Sequence, residues 1–320
     1  MIRKSLVLSV LWLLLALFPL LMLRLEQEFY ITLATRMMIF ALAASSLNLL
    51  LGYGGLVSFG HAAYFGVGAY VVAILARSDV TVAWVAWPLA VLVCALLALL
   101  IGAVSLRTRG VYFIMITLAF AQMIYFVIIS LKQYGGEDGL AMPRSTLGFG
   151  LNLKNDIAFY YVVLLLLTGA LFLLARLVNA RFGHVLRAIK TNETRMTALG
   201  YPVYRYQLVA FGISGALAGL AGVLNANLNV FASPNLLTWQ QSGHLLMMVI
   251  LGGVGHFWGG ALGALVYLWL EDSLSELTIH WQLGVGLLLL LIVLVAPQGL
   301  AGLLSNLRRS PSPRKEESTP

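Results

Sequence analysis

The chain has 320 residues, of which 61% are hydrophobic and 10% charged, with a formal net charge of +8. Soluble domains carry about 25% charged residues, and a single water-soluble core cannot hide this much apolar surface, so a soluble fold is excluded and lipid solvates most of the chain. The basic residues sit in short clusters between apolar runs, the pattern of loops on the inner side of a membrane, and no basic face for nucleic acid is present.

Met1-Ile2-Arg3-Lys4 followed by an apolar run imitates a secretion signal. The run 5–23 has 19 residues and ends in Leu23-Arg24-Leu25-Glu26 without a small-residue cleavage site. At 1.5 Å per residue it reaches about 28 Å, enough to span a bilayer. It is read as a retained first helix within a unit 1–28. Further spans are expected near 29–51, 80–106, 111–131, 157–179, 207–230 and 279–303, while 55–76 and 242–271 are apolar but rich in glycine. The fold class is all-α, a polytopic transmembrane bundle with discontinuous, glycine-rich helices. The permease body is placed at 29–304. The polar, proline-rich tail 305–320 is expected to be disordered. Cys94, the single cysteine, lies in an apolar run and reads as a small buried hydrophobe.

Lysine and arginine in short loops set orientation. The segment 180–206 holds Arg181, Arg187, Lys190, Arg195 and Arg205 against one acid, Glu193. With Arg3, Lys4 and the tail residues Arg308, Arg309, Arg314 and Lys315 it is assigned to the cytoplasm, and 132–156, balanced in charge, to the opposite side. Counting crossings then works only if 242–271 starts and ends on the outer side, as a pair of short or re-entrant helices hinged at Gly252-Gly253-Val254-Gly255. Broken backbone at membrane depth is tolerated when it is buried in protein or lines a wet cavity, and transporters build pathways from such helices. Close packing is the competing role of glycines, as in Gly215-x-x-x-Gly219 and Gly259-x-x-x-Gly263. The hinge candidates are Gly52, Gly54, Gly55, Gly60, Gly252, Gly253 and Gly255.

Every acid is expected in a loop or at a helix end, with Glu271, Asp272 and Glu276 reading as a solvated helix end beside His280. A carrier driven by protons keeps an ionisable group near the midplane, so coupling through an acid is not expected, although broken helices leave sodium binding through carbonyls open. A phosphate loop needs glycine directly before its lysine, and the five lysines follow Arg3, Leu131, Leu153, Ile189 and Arg314. Energy would come from another subunit. No His-Glu-x-x-His pair or cysteine ligand set is present, so neither catalytic residues, nor a metal, nor a cofactor is expected.

Within 180–206, Asn192 is placed as an N-cap with Glu193 in the first turn, and Gly200 and Pro202 stop the helix. A short helix over 193–199 results, suited to docking on a partner; a solvated loop that only fixes topology is the alternative. The coupling candidates are Arg187, Lys190, Asn192, Glu193, Arg195, Ala198, Leu199, Gly200 and Arg205. Asn48, Ser58 and His61 lie in or beside the first broken element. Asn225 and Asn229, four apart, share a helix face with Asn227 nearly opposite. These five, Asn48, Ser58, His61, Asn225 and Asn229, are the translocation-path candidates, each weighed against helix-to-helix hydrogen bonding, and for His61 the packing role is favoured. Arg36 is an isolated charge inside the second span, placed either to snorkel or to face the bundle interior.

Three stretches together resemble one family. They are Leu51-Gly52-Tyr53-Gly54-Gly55-Leu56-Val57-Ser58-Phe59-Gly60-His61 running on to Tyr70; Arg181-Phe182-Gly183-His184 through Arg187-Ala188-Ile189-Lys190 to Ala198-Leu199-Gly200 and Tyr204-Arg205-Tyr206; and Leu251-Gly252-Gly253-Val254-Gly255 with Gly259-Gly260-Ala261-Leu262-Gly263 and Pro297-Gln298-Gly299-Leu300. They are similar to the permeases of branched-chain amino acid ABC importers, the larger of the paired permease types. The resemblance covers about residues 30–303. It implies a heterodimer with a second permease subunit, two cytoplasmic ATPase subunits and a periplasmic substrate-binding protein, in a bacterial inner membrane with both termini cytoplasmic. Asn192-Glu193-Thr194-Arg195 departs from the glutamate-alanine-alanine motif of other importers. Branched-chain amino acids follow as cargo from the resemblance, with urea and short-chain amides carried by relatives. An autonomous secondary carrier or channel is a further alternative, and a membrane enzyme ranks last.

Overall fold

A computed structural model of the chain describes residues 2–147, 153, 155–296 and 298–307. Thirteen α-helices follow one another among the described residues: α1 (Ile2–Arg24), α2 (Glu28–Asn48), α3 (His61–Arg77), α4 (Ala83–Ser105), α5 (Val111–Ser130), α6 (Asp156–Asn179), α7 (Arg181–Thr191), α8 (Glu193–Ala198), α9 (Val203–Asn229), α10 (Trp239–Gly252), α11 (Gly259–Leu277), α12 (Trp281–Val295) and α13 (Gly299–Leu307). The sole sheet described is the two-residue antiparallel pair β1 (Leu140–Ala141) and β2 (Phe231–Ala232). Among the described residues, six helical stretches are long and apolar enough to cross a membrane: Glu28–Gly54, Ala83–Ser105, Val111–Ser130, Asp156–Asn179, Val203–Asn229 and Trp281–Leu303. A polytopic helical bundle is the only economical solution for such a chain, because helices satisfy their backbone groups within one segment.

The bundle is built around α9, which packs on α2, α3 and α4. At 27 residues it is about 40 Å long, and its small residues let neighbours come close. A β-carbon on Gly215 would stand 2.3 Å from the Ala98 side chain, and one on Gly222 would stand 1.7 Å from the Phe65 carbonyl oxygen. Small residues replace the hydrophobic driving force that lipid cannot supply between helices. Cys94 is fully buried at this contact and its thiol faces the Tyr64 carbonyl at 3.4 Å.

Both glycine-rich stretches are broken. The second span continues from α2 into a π-helical turn, Leu49–Gly54, then an irregular stretch 55–60 before α3 begins at His61. The π turn widens the helix by one residue. Gly55 leaves it in the left-handed region at φ 70°, where a side chain is unfavourable. Further along, α10 and α11 run antiparallel against each other, joined at 253–258 where the hinge was expected. Trp239 at the start of α10 and Trp281 just after α11 line one cleft of about 270 Å³, so the pair enters and leaves from the same end.

Four features differ from expectation. Glu271 and Asp272 lie inside α11, not at its end; a carboxylate is tolerated there because Glu271 meets Arg36 of α2 at 3.0 Å. The expected span 279–303 is kept as one apolar stretch, Trp281–Leu303, but its helix is interrupted between α12, which ends at Val295, and α13, which starts at Gly299. Gly299 then folds back onto Gly253, where a β-carbon would stand 2.4 Å from the Gly253 α-carbon. Helix α13 continues to Leu307, beyond the expected boundary at 305; the rest of the tail, including Arg308, Arg309, Arg314 and Lys315, and also Pro297, fall outside the described residues. Finally, the segment before Asn192 is a helix of its own, α7.

Candidate coupling and translocation site

Helices α7 and α8 cover one end of the bundle. Asn192 has an extended backbone, and its side-chain oxygen accepts the Arg195 N–H at 2.9 Å, closing the N-terminus of α8. Glu193, in the first turn, takes the Arg109 guanidinium at 3.0 Å and so ties α8 to the α4–α5 turn. Met196 packs with Ile189 and Val203 beneath. On the other side Arg195, Ala198, Leu199, Gly200 and Arg205 are exposed, with Leu199 63% exposed. Leu199, the C-cap of α8, thus lies exposed between Arg195 of α8 and Arg205 at the start of α9.

The inward side of α7 reaches the first broken element. Leu186 and Ile189 are buried. The Lys190 ammonium donates to the Gly52 carbonyl at 2.8 Å, and the Arg187 guanidinium lies 6.0 Å from the Tyr53 ring centroid while donating to the Gly183 and Val178 carbonyls. A cleft of about 260 Å³ opens here between Gly54, Gly55, Arg109, Lys190, Glu193 and Gln207.

Asn48 closes off the π turn from the other side. Its carboxamide donates to the His256 carbonyl at 2.8 Å and accepts the Gly255 N–H at 3.0 Å. Both broken elements therefore meet at one residue. Ser58 is buried and accepts the Gly60 N–H at 3.2 Å, which shapes the approach to α3. His61, fully buried, meets Ser214 of α9 at 2.8 Å, and Ser214 donates to the Ser46 carbonyl of α2 at 2.6 Å. Because the single hydroxyl proton is used on Ser46, His61 is assigned the Nε2–H tautomer. This is a packing bond across three helices.

The asparagines of α9 divide. Asn225 is buried and Asn229 exposed near the end of the helix. Asn227, which helical spacing set on the other face, is fully buried, accepts the Ser145 N–H and donates to the Val223 carbonyl, each at 2.8 Å. It latches the 140–147 segment, as does Arg144, which reaches the Asn227 and Leu153 carbonyls and Asp156.

Three site residues escaped sequence reasoning. Ser242 of α10 donates to the Phe59 carbonyl at 2.7 Å and accepts the Ala62 N–H at 2.9 Å. Thr117 of α5 accepts the Phe59 N–H at 3.2 Å, and Arg109 holds Glu193. Ser242 and Thr117 did carry a signal: a polar group inside an apolar run is costly unless bonded, but its partner is not written in the local sequence.

The family described as the permease component of the branched-chain amino acid transport system matches residues 29–296. The chain is similar to the high-affinity branched-chain amino acid transport system permease protein LivM of Escherichia coli, with 31% identity over 84% of this chain and 69% of that protein. The Salmonella typhimurium protein of the same description shows 30% identity over the same shares. A probable branched-chain amino acid transport permease protein LivH of Methanocaldococcus jannaschii is 27% identical over 77% of this chain and 82% of its own length. No solved structure matches the chain.

Proposed function

The chain belongs to the family of branched-chain amino acid transport permeases, and from that premise we propose that it is the membrane subunit of an ATP-driven importer whose force comes from separate ATPases. The observation that carries this reading is the two-sided α7–α8 unit. Its outer side, with the adjoining start of α9, offers Arg195, Leu199 and Arg205 to a partner, and its inner side is bonded to the broken helices.

The basic composition of 180–206 supports a cytoplasmic position for this unit, where an ATPase is found, with both termini on the same side of a plasma membrane. A second permease subunit completes the path, since one chain supplies one docking face for two ATPases, and a binding protein delivers cargo outside. The hinge glycines line up along the path, with Asn48, Ser58 and His61 holding the broken elements and Asn225 and Asn229 on the outer half of α9. The cargo is a branched-chain amino acid, by kinship with the relatives whose names carry that activity.

The test is uptake of labelled L-leucine into proteoliposomes. The chain alone is expected to show no ATP-dependent accumulation, and adding the second permease, both ATPases and the binding protein is expected to produce it. Uphill uptake by the isolated chain would overturn the reading.

A further inference from the structure

The bonds at the inner end of the bundle form a continuous line through elements far apart in sequence. The last turn of α7 holds Lys190, whose ammonium donates to the Gly52 carbonyl at 2.8 Å. That carbonyl belongs to the last turn of a helix, where carbonyls lack an intrahelical partner and cations are favoured. Gly52 in turn lies directly on the second broken element: a β-carbon there would stand 2.6 Å from the Gly255 nitrogen. Asn48, one turn earlier, holds both the Gly255 N–H and the His256 carbonyl. Gly299, at the start of α13, abuts Gly253 on the far side. The Gly52 and Gly255 backbones lie directly against each other with the Asn48 carboxamide bonded beside them, and a packed contact transmits displacement instead of absorbing it.

We propose that Lys190 and Asn48 are positioning residues that bind the π turn 49–54 and the hinge 253–258 into one body with α7, so that a displacement of the α7–α8 unit moves both broken elements together. This rests on the reading of the chain as an ATPase-driven permease, to which it adds the residues that carry the stroke inward. Lys190 supplies the pull between α7 and the π turn, and Asn48 the rigid link between the π turn and the hinge. A lysine acting only as a helix cap would stabilise its own turn and leave residues 253–258 untouched. The two roles are therefore separable.

The first readout needs no partner. In the full chain in lipid nanodiscs, amide hydrogen exchange is followed across 253–258 for the wild type, Lys190→Met and Lys190→Arg. Loss of one charge-assisted bond is expected to speed exchange there by roughly five- to tenfold, with Lys190→Arg close to wild type because it keeps the donor. Unchanged exchange at 253–258 in Lys190→Met overturns the relay. The Lys190 stem is largely exposed while its ammonium turns in to Gly52, so its replacement is expected to leave the fold intact, and Asn48→Asp, which keeps the acceptor for Gly255 and loses the donor to His256, gives a second variant with the same expectation.

The second readout uses the assembled complex in proteoliposomes: the number of ATP molecules hydrolysed per L-leucine taken up. Lys190→Met is expected to keep ATP hydrolysis and raise this ratio several-fold, with rescue by Lys190→Arg. An unchanged ratio in a transporting complex overturns the proposed role. A wild-type complex that takes up no amino acid sinks the functional reading instead, and the exchange experiment still decides the relay.

Discussion

Arg36 of α2 and Glu271 of α11 form an ion pair at 3.0 Å within two apolar helices. The guanidinium also lies 5.8 Å from the Phe40 ring centroid. The sequence left Arg36 isolated and put Glu271 at a solvated end, and the fold joins them across 235 residues. In lipid, each charge alone would seek water, whereas the pair can remain where α2 and α11 pack.

Removing one partner is therefore expected to cost more than removing both. The side chains are 39% and 20% exposed, so solvent screening holds the effect to about 1 kcal/mol for Arg36→Ala or Glu271→Gln. The double variant Arg36→Met with Glu271→Met should recover most of that loss. Thermal unfolding in detergent reads the difference, and additive losses in the double variant would show that the pair has no coupling.

The contact between α3 and α9 sets a second expectation. At Gly222 a β-carbon would stand 1.7 Å from the Phe65 carbonyl oxygen, a backbone atom that cannot swing away. Gly222→Ala is expected to push the helices apart at a cost of about 1–3 kcal/mol. Gly169→Ala on α6, where nothing lies within 4 Å, should stay within about 1 kcal/mol of wild type. The same unfolding assay compares them, and equal stability of the two variants would contradict the close packing.

Much of the architecture is legible in the sequence because lipid imposes simple rules. Runs of about 20 apolar residues mark spans, and the sidedness expected from the basic clusters calls for a break near Gly252–Gly255, where α10 ends before α11 begins. Asn192 and Gly200 bracket α8 by capping chemistry alone. What escaped depends on long-range partners. Helix α7 has buried Leu186 and Ile189 facing the bundle, yet no cap signal marks its start, so it read as a basic loop. Glu271 looked solvated because its partner is in another helix. Asn225 and Asn229 stood out by shared spacing, whereas Asn227 became important through Ser145, which no helical period reveals.

The proposed docking face around α8 and the start of α9 leads to a prediction on assembly. Arg195→Glu or Arg205→Glu is expected to weaken association with the ATPases about tenfold, and Leu199→Asp to do the same by removing the apolar centre between them. Membrane insertion should be unaffected, because all three side chains are exposed. Co-purification from membranes, with the amount of inserted chain measured in parallel, checks this. Undiminished association of all three variants would move the docking face elsewhere. Asn192→Ala should give a milder loss, since its cap contributes about 1 kcal/mol to the helix that presents the face.

At the opposite end, Asn227 holds the 140–147 segment to α9 through the Ser145 N–H at 2.8 Å. The Trp87 indole bonds the Ser145 hydroxyl at 3.2 Å, and β1 pairs with β2, so the segment is a folded cover and Asn227 is its buried anchor. Asn227→Ala strands a buried backbone N–H, at a cost of about 1–3 kcal/mol, whereas Asn227→Asp keeps the acceptor but places a charge beside Arg144, which bonds the Asn227 carbonyl. The alanine variant is expected to become sensitive to limited proteolysis within 140–147 while α9 stays protected. The aspartate variant should resist cleavage as the wild type does. Equal resistance of both variants would mean that β1, β2 and Arg144 hold the cover without the asparagine.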